Sequence, residues 1–427
     1  MSRRTITVAS IQLAAHERSA FAQIWPDVVA RVREAARSGA RLVVLPEGTA
    51  PAYVLGHRPY DGEATQRALA DSITVAREMR TIVVFGGARK NGSCLLNSAF
   101  VIDSDGSLAG HADKQFLWHF DRQWFEAGTS LAPIATSIGA IGALVCADGR
   151  IPTLARTLVD RGAQVLVMPT AWVTSGRDPS LFENAQADLL ARVRARENAV
   201  PFVASNKVGV ELGCVAYCGK SQIVDAGGEV LAMASQDRAE TIFAEIELAD
   251  PHPPRPSYRF GDASRTPDSA RRIAITLARF DAAGLDERLR ILEAAFVLAP
   301  GGMHRPAATA ADPAVAYVGD SQMLDPAGLV PARSDGAALA VWETPSTDAF
   351  WTLTFARTRA MELRMYVVVL AAAQARAFAV DPDGSVVAGT FPGYDLASFA
   401  FDPARVQNTF VAPNTDVLDG LARAARG

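Results

Sequence analysis

Glu47, Lys114 and Cys146 are side chains whose types combine into chemistry and whose positions allow them to meet. Glu47 ends "RLVVLPE", Lys114 follows a hairpin-like stretch at 95–110 in "HADKQFLW", and Cys146 ends "AIGALVC". Each stands just beyond a run that reads as a sheet element, and open α/β sheets collect ligands outside the carboxyl ends of their strands. A thiolate needs nearby positive charge to exist at neutral pH, and a lysine supplies it. A carboxylate can take the thiol proton and later activate water. On position alone, Cys146 also reads as a small hydrophobe packed at a strand end, Glu47 as a turn cap and Lys114 as a surface lysine.

The elements that must hold these residues alternate along the first half. "TITVASIQL" alternates apolar and polar residues like a strand, and a helix is expected near 20–38 with Ile24, Val28 and Val32 on its apolar face. "RLVVLP" (41–46) is a short buried strand, followed by a helix near 64–80 and the strand "TIVVFGG". "LLNSAFVIDSDGSLAG" reads as two strands about an Asp-Gly turn. "AIGALVC" (140–146) is expected as a strand, with Pro152 opening the next helix at a position that suits proline. "QVLVMP", a helix near 183–198, "PFVASN" and the hairpin "SQIVDAGGEVLAM" complete an α/β domain.

Composition excludes several classes. The 427 residues are 49% hydrophobic and 21% charged, with a net charge of −4, which offers neither nucleic acid nor an anionic membrane an electrostatic partner. No run reaches 18 apolar residues, so no membrane span is expected. Four cysteines in so long a chain form no disulfide framework and point to a reducing, cytoplasmic compartment. Cys214 and Cys218 are four residues apart, but no histidine cluster accompanies them and packing is the preferred reading. No GxSxG, Walker A or zinc-type spacing occurs.

Residues 251–269 are Pro-rich and read as a linker between a domain at 1–250 and another at 270–427. Beyond the linker the first half recurs in part. "RRIAIT" (271–276) matches "RRTITV" (3–8), "VAYVGDSQMLDPAG" (315–328) matches "VAYCGKSQIVDAGG" (215–228), and "ARTRAMELRMYVVV" (356–369) matches "ARVRARENAVPFVA" (191–204). These matches argue for a shortened duplicate. It has no cysteine and no lysine, and Gly301 of "VLAPGG" stands where Glu47 stands in "VVLPEG".

"LPEGTAPAY", "DKQFLWHFDRQWFEAG", "CADGRIPTLARTLVDRGAQVLVMPTAW" and "RARENAVPFVASN" resemble, in order and separation, the successive signatures of the nitrilase superfamily of carbon–nitrogen hydrolases. The resemblance spans roughly residues 5–250 and implies an αββα four-layer sandwich, followed by a truncated, non-catalytic copy of the same fold. It implies a catalytic triad of Glu47, Lys114 and Cys146, needing no cofactor and no metal. Cys146 would attack a carbonyl carbon, Glu47 would move the protons, and Lys114 with the Ala147 N–H would stabilise the oxyanion. It also implies that the two halves pair as an internal pseudo-dimer through helices including 191–197 and 356–362. Further homo-oligomerisation is left open.

The sequence departs from the family pattern at Asp121, where a second glutamate usually holds the lysine, with Glu126 as a poorer-fitting alternative. Nitrile-cleaving members typically carry Cys-Trp-Glu, whereas this chain has Cys146-Ala147-Asp148, resembling the amidase and carbamoylase branches. The substrate implied is a small linear amide or an N-carbamoyl amine. A nitrilase, an acyltransferase and a non-catalytic binding or regulatory protein are the alternatives. Tyr53, Trp118, His119, Arg150 and Trp172 flank the triad blocks as pocket candidates, and Arg150 reads equally as a salt-bridge partner of Asp148.

Overall fold

Period-two alternation builds the first sheet and decides its two faces. The computed structural model describes residues 4–425 apart from 57–58, 61, 175–183, 252, 254, 256–269, 279–285, 288, 291, 305–312 and 392–394. The chain divides into two units, Met1–Pro256 and Ser257–Arg426. The first begins with β1 (Arg4–Ile11), β2 (Leu13–Ala14), α1 (Phe21–Arg37), β3 (Leu42–Val44), α2 (Glu63–Met79), β4 (Ile82–Asn91), β5 (Cys94–Ile102) and β6 (Leu108–Asp113). It continues with β7 (Ile134–Thr136), β8 (Gly139–Ala143), α3 (Pro152–Asp160), β9 (Val165–Pro169), α4 (Ala191–Asn198) and β10 (Phe202–Ser205). A π-helical turn, Gln186–Leu190, leads into α4. It closes with β11 (Lys207–Glu211), β12 (Val215–Cys218), β13 (Gln222–Val224), β14 (Val230–Met233) and β15 (Thr241–Leu248).

These strands form sheets of order β15-β1-β3-β4-β5-β6 and β14-β13-β10-β9-β8-β7, with a small third sheet β12-β11-β2. Ala9, Ile11, Val43, Val83 and Phe85 point from the first sheet to Trp25, Val28, Val32, Ala68 and Val75 of α1 and α2. The alternate residues of the same strands face the second sheet, where Ser10 Oγ donates to Ala204 O (2.8 Å) and Ser205 Oγ to Ile11 O (2.6 Å). Helices α3 and α4 cover the far side, against β8 and β10. The order is therefore helix, sheet, sheet, helix. Burying two sheets face to face leaves the strand ends at the sandwich edge as the place where polar side chains meet.

One expectation shifts here. The strand expected through Cys146 stops at Ala143, and Cys146–Arg150 is a 3₁₀ turn in which Cys146 takes φ +45°. The Asp148 carboxylate accepts from Val145 N (3.0 Å), Gln115 N (3.0 Å) and Phe116 N (2.8 Å), drawing the chain out of the sheet. The Pro-rich stretch lies mostly outside the described residues. Within it, Arg255 bonds Asp160 (2.7 Å) and Asn198 (2.8 Å) of the first unit.

The second unit contains β16 (Arg271–Thr276), β17 (Phe296–Ala299), β18 (Gly302–His304), β19 (Val315–Val318), β20 (Leu339–Thr344), β21 (Tyr366–Ala371), β22 (Arg376–Val380), β23 (Val386–Gly389) and β24 (Leu396–Phe401). They form sheets β18-β17-β16-β24 and β19-β20-β21-β22-β23, which share a core of Ile273, Phe296, Leu298, Val341, Tyr366, Val368 and Phe399. The local match of 315–328 with 215–228 carries over to conformation only in its opening strand. Gln222–Val224 is a strand, whereas Asp320–Leu324 is a short helix. The match of 356–369 with 191–204 carries over, since both run from helix into strand.

Candidate active site

Three strand ends and one loop deliver the charged centre of the first unit. Glu47 follows β3, and its backbone lies so close to β4 that a Cβ on Gly86 would stand 2.5 Å from Glu47 Cα. Glycine at that position is what lets the carboxylate enter. Lys114 follows β6, its N–H bonded to Asn97 O (2.8 Å). Its ammonium lies 2.8 Å from Glu47 Oε1 and 2.6 Å from Asp121 Oδ2, and all three side chains are fully buried. Asn97 on β5 donates to Glu47 Oε1 (2.6 Å), and Trp118 N to Asp121 Oδ2 (2.8 Å).

Electrostatics follow from this enclosure. Burial works against the Lys114 ammonium, but Asp121 and Glu47 outweigh it and raise its pKa well above the ordinary value. For Asp121, burial pushes the carboxyl up while Lys114 pulls it down. Burial pushes the Cys146 thiol up to about 12, with Glu47 adding to the rise and Lys114 opposing it. Thr170 and Ala171, just past β9, favour the thiolate. Cys146 therefore rests as a thiol at neutral pH, in the field of one carboxylate that can accept its proton and one ammonium that can stabilise an anion.

The flanking candidates divide. Tyr53 is buried in the field of Asp121, Glu47 and Cys146, its hydroxyl pKa raised by burial first and then by those groups, and its ring meets Tyr217 edge-on at 6.2 Å. Trp172 is buried, with its backbone N–H bonded to Asn206 Oδ1 (2.9 Å). Ala147 is buried in the Cys146 turn. The Arg150 guanidinium stacks on Trp118 at 4.7 Å, while Asp148 spends its carboxylate on backbone N–H groups rather than on Arg150. His119 packs on Phe120. Glu126 faces Cys94, away from the Lys114 ammonium. Asn97 and Thr170 escaped sequence reasoning, and Asp148, which the sequence offers as a partner of Arg150, is instead the acceptor of three backbone N–H groups. A polar amide inside the buried run "LLNSAF" was the one available signal, since a buried amide must be hydrogen-bonded to something.

A buried carboxylate–ammonium–thiol group is suited to nucleophilic acyl transfer. Comparison with known proteins places the chain in a family. The profile of the carbon–nitrogen hydrolase family matches residues 7–252. A nitrilase of Pyrococcus abyssi is 34% identical over 224 residues, spanning 51% of this chain and 80% of that one. The N-carbamoylputrescine amidase of Arabidopsis thaliana is 26% identical over 270 residues, spanning 58% and 88%. The crystal structure of a carbon–nitrogen hydrolase from Helicobacter pylori G27 resembles this one with a TM-score of 0.51 at 27% identity, over 57% of this chain and 90% of that one. With more than half of its length matched by the family profile, the chain belongs to the carbon–nitrogen hydrolases of the nitrilase superfamily.

Proposed function

We propose that the first unit hydrolyses a small molecule bearing a terminal –CO–NH2 group through a thioester on Cys146. One observation carries this reading. Glu47 Oε2 and Asp121 Oδ1 are buried and lack a hydrogen-bond partner among the described residues, while their other oxygens bond Lys114. Unpaired buried acceptors are costly, and an amide –NH2 supplies two donors beside a carbonyl that Lys114 can hold. A nitrile nitrogen only accepts, so it leaves both oxygens unsatisfied.

In this mechanism Glu47 takes the Cys146 proton as sulfur bonds the carbonyl carbon. The oxyanion is stabilised by Lys114 and the Ala147 N–H. Collapse breaks the C–N bond, and the proton held by Glu47 leaves with ammonia. Water, deprotonated by Glu47, then attacks the thioester, releasing a carboxylic acid and restoring the thiol. A ureido group presents the same –CO–NH2, so N-carbamoyl amines fall in the same class, as the name of the Arabidopsis relative suggests. Tyr53, Trp118, Arg150 and Trp172 are the residues proposed to contact the rest of the substrate. Ammonia release from a panel of primary amides, N-carbamoyl amines and nitriles tests the reading, and release from nitriles alone would overturn it.

We further propose that the second unit is a truncated, non-catalytic copy of the first. Strands β19-β20-β21-β22-β23 repeat the parallel, parallel, antiparallel, antiparallel pairing of β8-β9-β10-β13-β14, and β24-β16-β17 repeat β15-β1-β3. Side-chain bonds recur as well. Arg194 donates to Gly149 O (2.9 Å) and Arg192 to Gly228 O (2.8 Å), while Arg359 donates to Met323 O (3.0 Å) and Arg357 to Gly384 O (2.7 Å). The buried pair Arg194–Glu197 has its counterpart in Arg359–Glu362. In the register these pairs set, 315–318 answers to β8 rather than to 215–218. Asp320 then falls at the position of Cys146 and Gly301 at that of Glu47. Among the described residues the segment bearing Lys114 and Asp121 has no counterpart, and β18 runs antiparallel where β4 runs parallel. Such a copy keeps the scaffold and supplies no chemistry, so all turnover belongs to Cys146.

A further inference from the structure

The small sheet β12-β11-β2 carries buried charges that the proposed mechanism does not use. Lys207 and Glu211, at the two ends of β11, are enclosed to 0% and 1% exposure. Burying an ion pair is expensive and often gains nothing over an apolar pair, so its contacts are worth following. Lys207 Nζ donates to Gly48 O (2.9 Å), the carbonyl next to Glu47, and lies 3.8 Å from Glu211 Oε2 and 5.5 Å from the centre of the Tyr217 ring. Glu211 Oε1 accepts from Val54 N (2.8 Å), and Oε2 from the Tyr217 hydroxyl (2.6 Å). Tyr217 in turn meets Tyr53 edge to face.

The loop from Gly48 to Val54 is thus gripped at its first carbonyl by the lysine and at its last N–H by the glutamate. It is folded tightly between those points. Gly48 has φ +57°, and a Cβ there would lie 2.6 Å from the Tyr53 backbone. Asn206, immediately before Lys207, accepts from Trp172 N, two residues past Thr170. One segment, Asn206–Glu211, therefore ties down the backbone beside Glu47, Tyr53 and Trp172 together.

We infer that Lys207 is a positioning residue for Glu47, and that the Lys207–Glu211 pair acts as a charged clamp on the Gly48–Val54 loop that keeps Glu47 in register with Cys146. The inference rests on the amide-hydrolase reading. Lys207 touches neither substrate nor Cys146 in this account, and acts through the Gly48 carbonyl. Burial lowers its pKa, and Glu211 and Glu47 oppose that fall.

The test compares the full-length wild type with Lys207→Met, Lys207→Arg and the double variant Lys207→Met/Glu211→Gln, on an amide that the wild type hydrolyses. Lys207→Met should lower kcat by about 100-fold, the scale of a misplacement near 1 Å, while KM changes little. The double variant removes the unpaired buried charge and should recover the thermal melt without recovering kcat. Lys207→Arg keeps a donor and a charge, and should restore part of kcat. Should Lys207→Met fail to fold, the double variant carries the test. Wild-type kcat in Lys207→Met or in the double variant overturns the clamp, the latter making Lys207 a counter-charge only. A wild type that hydrolyses no amide or N-carbamoyl compound overturns the parent reading instead.

Discussion

Replacing Lys114 by methionine removes one ammonium and leaves two buried carboxylates facing each other. Glu47 and Asp121 bond the same nitrogen at 2.8 and 2.6 Å, all with 0% exposure. Breaking a buried pair by deleting one partner costs about 3–5 kcal/mol, mostly the uncompensated charge left behind. At about 2–4 °C per kcal/mol for a domain of this size, the melt should fall by roughly 6–20 °C. The loss should depend on pH. Burial already raises the Asp121 carboxyl, and Lys114 is what holds it down, so its removal raises that pKa further. A carboxyl whose folded pKa exceeds its unfolded one contributes stability below the unfolded value, and that contribution disappears as pH rises through the folded value. Lys114→Met should therefore melt closest to wild type near about pH 5 and furthest below it near about pH 8. Removing an oxyanion donor should separately lower kcat by about 10²–10³. The double variant Lys114→Met/Asp121→Asn should regain stability at pH 8 but not activity, which separates the structural role from the catalytic one. Calorimetry at the two pH values with ammonia release at each is the assay. A single variant with the wild-type melt at pH 8 and wild-type kcat would refute the reasoning.

Cys146→Ala in the full chain should abolish turnover with little change in melt, because alanine is small and apolar and the second unit supplies no replacement nucleophile. Residual ammonia release would point to another nucleophile. Asp121→Asn should reduce activity less than Lys114→Met, since Glu47 still holds the ammonium. An unchanged kcat would remove Asp121 from the site. Gly48→Ala should destabilise the first unit by about 1 kcal/mol or more, since a side chain there needs positive φ and meets the Tyr53 backbone. A wild-type denaturation midpoint would show that the loop can open freely.

What the sequence disclosed, and what it hid, follows from the range of the interactions. Glu47, Lys114 and Cys146 stand out because each is a reactive type at the end of a legible apolar run, and motif order adds a resemblance that no single residue carries. The Asp121 departure is also visible, and the structure sets that carboxylate on Lys114. Lys207 and Asn97 are different. Their roles depend on a partner 159 and 50 residues away, so only strand pairing reveals them. The strand before Cys146 ends early because Asp148 captures N–H groups from two separate segments, something periodicity does not record. The likeness of 315–328 to 215–228 misleads for the same reason. Similar letters can sit in an edge strand leading to a helix or in a hairpin, and sheet neighbours decide which.

The claim at the centre is that Cys146 carries the acyl group of an amide. Because Glu47 serves both acylation and hydrolysis in this account, the thioester is best caught on the wild-type enzyme, stopped with acid during turnover before water can release it. Intact-mass measurement of the acid-stopped wild type after mixing with an amide substrate, followed by peptide mapping, tests the claim directly. The account predicts a single adduct equal to the substrate less ammonia, located on Cys146. An adduct on another residue, or amide hydrolysis that persists after iodoacetamide has alkylated Cys146, would contradict it.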